Sequence, residues 1–251
     1  MTNRTASAPE QRVWFVDGRR ALRGGALAAW AAFFAWLWIS GEMARYLGPR
    51  TYWVVPFGAF LLGAAALMHA FTLRVPARRP RPSTSEVVGA AMLVIPLIAV
   101  LIVPSADLGS LAASRKSTAA SFEDIGGPVA AEAEPIENPT FRDIAYAEQS
   151  QRYAAAIGLE PGRRVELVGF VDDEPGGPEG TFELTRFYVS CCAADAIPYS
   201  TAIDAGGLGP AELPTDAWVE ASGELELRDK RLVVVADRLE RVSEPEEPYL
   251  Y

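Results

Sequence analysis

The sequence predicts an α-helical membrane part of three transmembrane helices followed by a small all-β domain, an OB-like five-stranded barrel. Three observations predict it. Long runs without charge fill the first 106 residues, the sign of the charge reverses between the halves, and alternating apolar residues with turn signals begin near Arg163. Residues 1–104 hold 11 Arg, no Lys and 4 acids, or +7; residues 105–251 hold 12 bases and 28 acids, or −16, and the two sum to the chain's −9. An apolar, Arg-flanked half joined to an acidic, polar half is the pattern of an anchor with a water-facing domain. The acidic balance argues against nucleic acid, whose affinity comes from Lys and Arg on phosphates. Two cysteines in 251 residues are too few for a disulfide framework.

Residues 1–20 are a polar leader ending in Arg19 and Arg20, expected on the cytoplasmic side. Residues 24–41 carry no charge and include Trp30, Phe33, Phe34, Trp36 and Trp38, so with Ala21 and Leu22 they make a span of about 21–41. Three tryptophans, and Glu42 to Arg45 behind them, fit a cleaved signal peptide poorly. After the Gly48-Pro49 turn, residues 51–73 have no charge but His69 and form the second span, with Tyr52 and Trp53 at its headgroup boundary. Near the span's end His69 can reach the interface, the ordinary fate of an ionisable residue there, though at membrane depth it would mark function. The third span, about 86–106, is kinked by Pro96 and ended by Pro104.

Orientation follows from the arginines, since cytoplasmic loops are rich in them. Arg12, Arg19, Arg20 and Arg23 precede the first span and Arg74, Arg78, Arg79 and Arg81 precede the third, whereas the first loop has only Arg45 and Arg50. The N-terminus is therefore expected in the cytoplasm and the C-terminal domain outside it, in a multi-pass protein of the cell membrane.

Residues 107–139, rich in Ala, Ser, Glu and Pro, read as a flexible tether. The outer domain, 140–251, opens with one helix started by Thr140 and Asp143, patterned by Phe141, Ile144, Tyr153 and Ile157, and stopped by Gly158 and Pro161. Strands follow at 165–171, 181–190, 199–203, 217–227 and 232–236, the last two joined at Arg228-Asp229-Lys230. Five short strands in roughly 80 residues suggest the OB-like barrel, but fold alone assigns no function.

Both cysteines, Cys191 and Cys192, sit where the second strand ends, before Ala193-Ala194-Asp195-Ala196-Ile197-Pro198. Adjacent strand residues face opposite ways, so the two thiols share a ligand only if the strand breaks there. Three readings stay open. The thiols are small core fillers, with Asp195 capping the turn; or Cys191, Cys192 and Asp195 hold zinc or another soft metal, a fourth donor coming from Asp172, Asp173 or a partner chain; or the thiols form a labile vicinal disulfide. The outer domain has no histidine to activate a serine, and its Gly-rich turns lack a following Lys-Ser or Lys-Thr, so an enzyme is not expected.

Arg186-Phe187-x-x-x-Cys191-Cys192-Ala193-Ala194-Asp195-Ala196-x-Pro198, with Gly169-Phe170-Val171, Trp218-Val219-x-x-x-Gly223 and the final Pro245-x-x-Pro248-Tyr249-Leu250-Tyr251, resembles the YcgQ-like family of permease subunits. The resemblance covers the outer domain closely and the hydrophobic architecture less specifically. It implies a membrane-anchored companion of a polytopic permease, with Arg186, Phe187, Cys191, Cys192, Asp195, Trp218, Tyr249 and Tyr251 as matched signature residues. The expected function is thus a permease's accessory subunit in the lipid bilayer, its outer domain handling a metal ion or other small solute. The alternatives are a stand-alone envelope redox or metal-binding protein, or a structural interaction module.

Overall fold

The computed structural model describes residues 15–72, 74–75, 82–102, 108–117, 134–172, 177–206 and 213–251. The chain divides into two compact units, one from residues 1–43 and 53–105, the other from Ala44–Tyr52 and Ala106–Tyr251.

The first unit holds β1 (Phe15–Val16), α1 (Gly18–Ser40), α2 (Val54–Phe71), β2 (Arg74–Val75) and α3 (Thr84–Ile102), with β1 antiparallel to β2. Asp17 starts α1 earlier than the expected leader allows, because its carboxylate accepts the N–H of Arg19 and of Arg20 at 3.0 and 3.4 Å. Arg20 Nη1 donates to the Thr72 carbonyl at 2.7 Å, satisfying the end of α2. Three residues before Pro96, which lies inside α3, Trp30 Nε1 donates to the Leu93 carbonyl at 3.0 Å and ties α3 to α1. Glu86 accepts the Ser83 N–H at 2.9 Å and pairs with Arg19 at 3.0 Å.

Large apolar residues of this unit, among them Trp38, Phe60, Phe71, Met92 and Ile102, are exposed. That inverts the soluble pattern and suits helices surrounded by lipid. Two helical stretches, Gly18–Ser40 and Pro49–Phe71, are long and apolar enough to cross a membrane; the third apolar stretch, Thr84–Val100, is shorter. The expected third span, about 86–106, thus has two qualifying companions, and its end at 103–106 lies outside the described residues.

The second unit is built on a closed barrel of β3 (Arg164–Asp172), β4 (Phe182–Tyr188), β5 (Ile197–Asp204), β6 (Trp218–Arg228) and β7 (Arg231–Arg241), in the order β3-β4-β5-β7-β6 with β6 back on β3. Every neighbouring pair is antiparallel except β5 and β7. All five expected strands form. The β6–β7 turn is Asp229-Lys230 alone, both at positive φ (49° and 69°), with Arg228 opposite Arg231, the two-residue turn that matches strand twist. A bulge at Ser222/Gly223 bends β6, and there a Cβ on residue 223 would overlap the Val235 carbonyl, so only glycine fits. Leu184, Ala202, Ile203, Val219, Ala221, Val233 and Val234 are completely buried in the barrel.

Two expectations need correction. The single helix over 140–157 is two, α5 (Phe141–Gln149) and α6 (Gln151–Ile157). Ser150 breaks it by turning extended and offering its hydroxyl to the Tyr153 N–H, a local bond that competes with helix continuation. The tether over 107–139 is not wholly a tether, since α4 (Ser110–Ser117) forms in it and buries Ala113 among Phe170, Phe187, Val189, Ala196 and Tyr249. Thr140 and Asp143 form the expected capping box of α5.

Candidate functional site

The site begins where β4 stops. Its pairing with β5 ends at Tyr188 opposite Ile197, and the chain between them leaves the sheet and returns. Val189 stays in the core and donates its N–H to the Leu250 carbonyl at 2.9 Å. From Ser190 onward the backbone faces a different set of partners. Cys192 is extended, and a single 3-10 turn at Ala193–Asp195 swings the Asp195 carboxylate back beneath the loop. One carboxylate oxygen accepts the Ser190 N–H at 3.1 Å and the other the Cys191 N–H at 2.8 Å. Asp195 thus caps the turn as expected.

That break brings both thiols to one side. Cys191 is exposed, Cys192 is half-buried, both are free, and their sulfurs stand 3.7 Å apart. Neither is a core filler. The two sulfurs and a carboxylate oxygen of Asp195 all lie within 4.8 Å of one another. The hydrogen bond to Asp195, then that to Cys192, pushes the Cys191 thiol up to about 12, because a proton there is shared with a carboxylate. Burial raises Asp195, but the donors around it, the Cys191 thiol first, outweigh burial and hold its carboxyl below the usual range. The pair is a protonated thiol on an ionised carboxylate. Asp172, a candidate fourth donor, is buried in β3 and accepts from Thr185 Oγ1 at 3.3 Å, outside this cluster; Asp173 lies outside the described residues.

The loop's backbone is pinned from behind by residues that sequence patterns do not single out. Gly48 N–H and Thr51 Oγ1 both donate to the Cys191 carbonyl, at 3.1 and 2.8 Å, Ala193 N–H donates to the Tyr46 carbonyl at 2.9 Å, and Leu47 bridges Cys192. Gly48 comes close because it has no side chain: a Cβ there would stand 3.2 Å from the Ser190 carbonyl oxygen. Lys116 of α4 donates to the Ala193 and Ala194 carbonyls at 3.4 and 3.0 Å. Tyr46 to Thr51 precede the cysteines by about 140 positions, so no local signal could have found them.

The remaining signature residues build the wall behind the loop. Arg186 donates to the carbonyls of Val168, Glu247 and Pro248 at 3.2, 2.7 and 3.2 Å, fastening the C-terminal tail to the barrel, and its guanidinium lies over Trp218. Phe187 stacks on Phe170, which meets Trp218 edge-on. Tyr249 is buried and donates its hydroxyl to the Arg45 carbonyl at 2.9 Å, while Tyr251 is partly exposed. His69 belongs to α2, in the other unit.

No curated protein matches the chain. Residues 139–251 match the family model of the DUF1980 C-terminal domain, a match that begins one residue before the Thr140 cap and takes in the helix pair, the barrel, the cysteine loop and the tail, and that carries no activity with it.

Proposed function

We propose that the chain is an integral membrane subunit that accompanies a permease, with its barrel outside the cell membrane and the 191–195 loop offered to a metal ion or other small solute. The observation that carries this reading is the pairing of Ala44–Tyr52 with the cysteine loop within one compact unit. Ala44–Tyr52 joins α1 to α2, and the barrel follows α3. If α1 and α2 cross the bilayer, a barrel paired to the loop between them lies on the far side from the N-terminus. The chain reaches that side after α2 only by crossing again, which supports α3 as a third span despite its shorter apolar length. The arginines of 12–23 and 74–81 then favour an inner N-terminus and an outer barrel.

The closed five-stranded order with one parallel contact supports the OB-like description. The YcgQ-like resemblance supplies the permease as partner, and the match at 139–251 is compatible with it. Two tests apply. Alkaline phosphatase fused after Tyr251 should be active in intact cells, and an inactive fusion beside an active one in the 74–81 segment refutes the topology. Purification in mild detergent should bring a polytopic protein along in fixed ratio, and a chain that purifies alone under crosslinking refutes the accessory role. The two neighbouring free thiols also favour a second reading, an envelope redox protein. That reading requires the chain to be recovered from cells with Cys191 bonded to Cys192.

A further inference from the structure

We infer that Cys191, Cys192 and Asp195 form an open, exchangeable site for a zinc-class divalent ion, tetrahedral with its fourth position left to water or to a donor of the partner. The inference rests on the reading above and names the solute class it left open. The geometry of the sulfurs carries it. Two thiolates each about 2.3 Å from a tetrahedral ion are held about 3.8 Å apart, whereas a two-coordinate ion in line between them would hold them about 4.6 Å apart. The observed separation, spanned by a hydrogen bond from the Cys191 thiol to the Cys192 sulfur, is 3.7 Å, so the tetrahedral edge is met without moving the sulfurs. The sulfur-to-oxygen edge of the same tetrahedron is about 3.6 Å, so from a cluster already within 4.8 Å the carboxylate has at most about an ångström to close.

Donor chemistry narrows the ion. Calcium and magnesium require shells of oxygen, and two sulfurs exclude them, while two thiolates with one carboxylate suit a borderline-soft d10 ion. Both Asp195 oxygens are oriented by the Ser190 and Cys191 N–H groups, and loss of the Cys191 thiol proton on ligation frees a lone pair for the ion. Ligation forms two metal–sulfur bonds and one metal–oxygen bond, expels water from the hydrated ion and releases the thiol protons to solvent, with no change of oxidation state.

Openness follows from the same residues. Cys191 and Cys192 are the only cysteines in the chain and His69 is the only histidine, in the other unit; among the described residues the cluster brings three donors, and a closed structural site needs four. The loop is shaped instead by Gly48, Thr51, Tyr46 and Lys116 acting on its backbone. A preformed three-donor loop on an exposed surface exchanges its ion by substitution at the vacant position. That is the behaviour of a hand-off or sensing site.

The test is Co2+ titration of the full chain in detergent, under reducing conditions, followed by displacement with Zn2+. One equivalent of Co2+ should raise the intense visible bands of tetrahedral cobalt together with a near-ultraviolet sulfur charge-transfer band, and Zn2+ should abolish both. Cys191→Ser and Cys192→Ser should each weaken binding by more than about 100-fold, and Asp195→Asn by about 10- to 100-fold while keeping the charge-transfer band. Circular dichroism and elution volume should be unchanged, because none of the three fills the core. Weak octahedral bands with both thiols still titratable, or bands that survive both cysteine variants, overturn the site. These spectra do not depend on orientation: a failed titration with an external phosphatase fusion rejects the metal alone, and a good titration with an internal fusion rejects the topology alone.

Discussion

Arg186 to Val189 and Ser190 to Asp195 are consecutive in the chain and serve opposite purposes. In the first run the side chains go inward or along the wall: Phe187 and Val189 are 1% exposed, and Arg186 spends its guanidinium on three carbonyls. In the second the backbone is bound from behind, with the Cys191, Ala193 and Ala194 carbonyls all occupied, while Cys191 is exposed, Cys192 is half-buried and the polar side chains bond within the loop. Four buried or wall residues thus hold a rigid frame, and three polar ones are displayed on it. Resemblance marks both sets alike; only burial separates the residues that build from the residues proposed to bind.

The sharpest way to break that division is to damage the frame. Phe187→Ala leaves a cavity beneath Phe170 and Ala113, and truncating a buried Phe costs about 3–5 kcal/mol. A large fall in the thermal midpoint of the full chain is expected, against almost none for Cys191→Ser. Equal losses would mean that the two runs are one structural unit. Gly48→Val comes next. Its Cβ already presses on the Ser190 carbonyl, and the added methyls force the loop and its backing apart at about 1–3 kcal/mol. Limited proteolysis should then cut near residues 190–195 with the barrel intact, and a protected loop would deny the pairing its role.

How much of this was legible in the sequence follows the range of the interactions. The five strands were readable because alternation is local, and so were the Thr140/Asp143 cap and the turn at Asp229-Lys230. Ser150 was harder, since a serine flanked by helix formers breaks a helix only when its own hydroxyl takes the next cap. Helix α4 was invisible because five of its eight residues are polar and its short apolar run, Leu111 to Ala113, shows its use only when Ala113 is buried on the barrel. At the site, a break was foreseeable from Pro198 and the small residues before it, but β4 ends at Tyr188, two residues short of the expected Ser190. The backing by Tyr46 to Thr51 was not, since backbone hydrogen bonds leave almost no trace in residue identity.

A subtler change tests the displayed run itself. Asp195→Asn removes the charge that holds the proton on Cys191, while its amide oxygen still accepts a loop N–H. The thiol should fall from about 12 toward the ordinary cysteine range, near 8.5. Alkylation at pH 8 should therefore be faster than in the wild type, with the gap narrowing as pH rises. A slower or unchanged rate would show that the carboxylate does not govern the thiol.

The smallest effect concerns acid, and it sets a carboxylate of helix α5 against carboxylates of the barrel strands. The Gly206 N–H and then Arg228 hold the Asp204 carboxyl below its usual range, and Arg164 does the same for Asp237. A lowered folded pKa gives stability that is complete above the unfolded value, about 3.9, and lost as pH falls through the folded one. Glu148 runs the other way. Burial raises it, against the Leu232 N–H and Arg231, so its contribution is complete below the unfolded value, about 4.3, and lost as pH rises through the folded one. On acidification the barrel should first gain from Glu148 and then lose from the aspartates, so its urea midpoint should pass through a shallow maximum. Glu148→Gln keeps an acceptor for the Leu232 N–H and cannot titrate, so it should erase the rise and leave the fall. A maximum that survives in that variant would assign the rise to another buried acid.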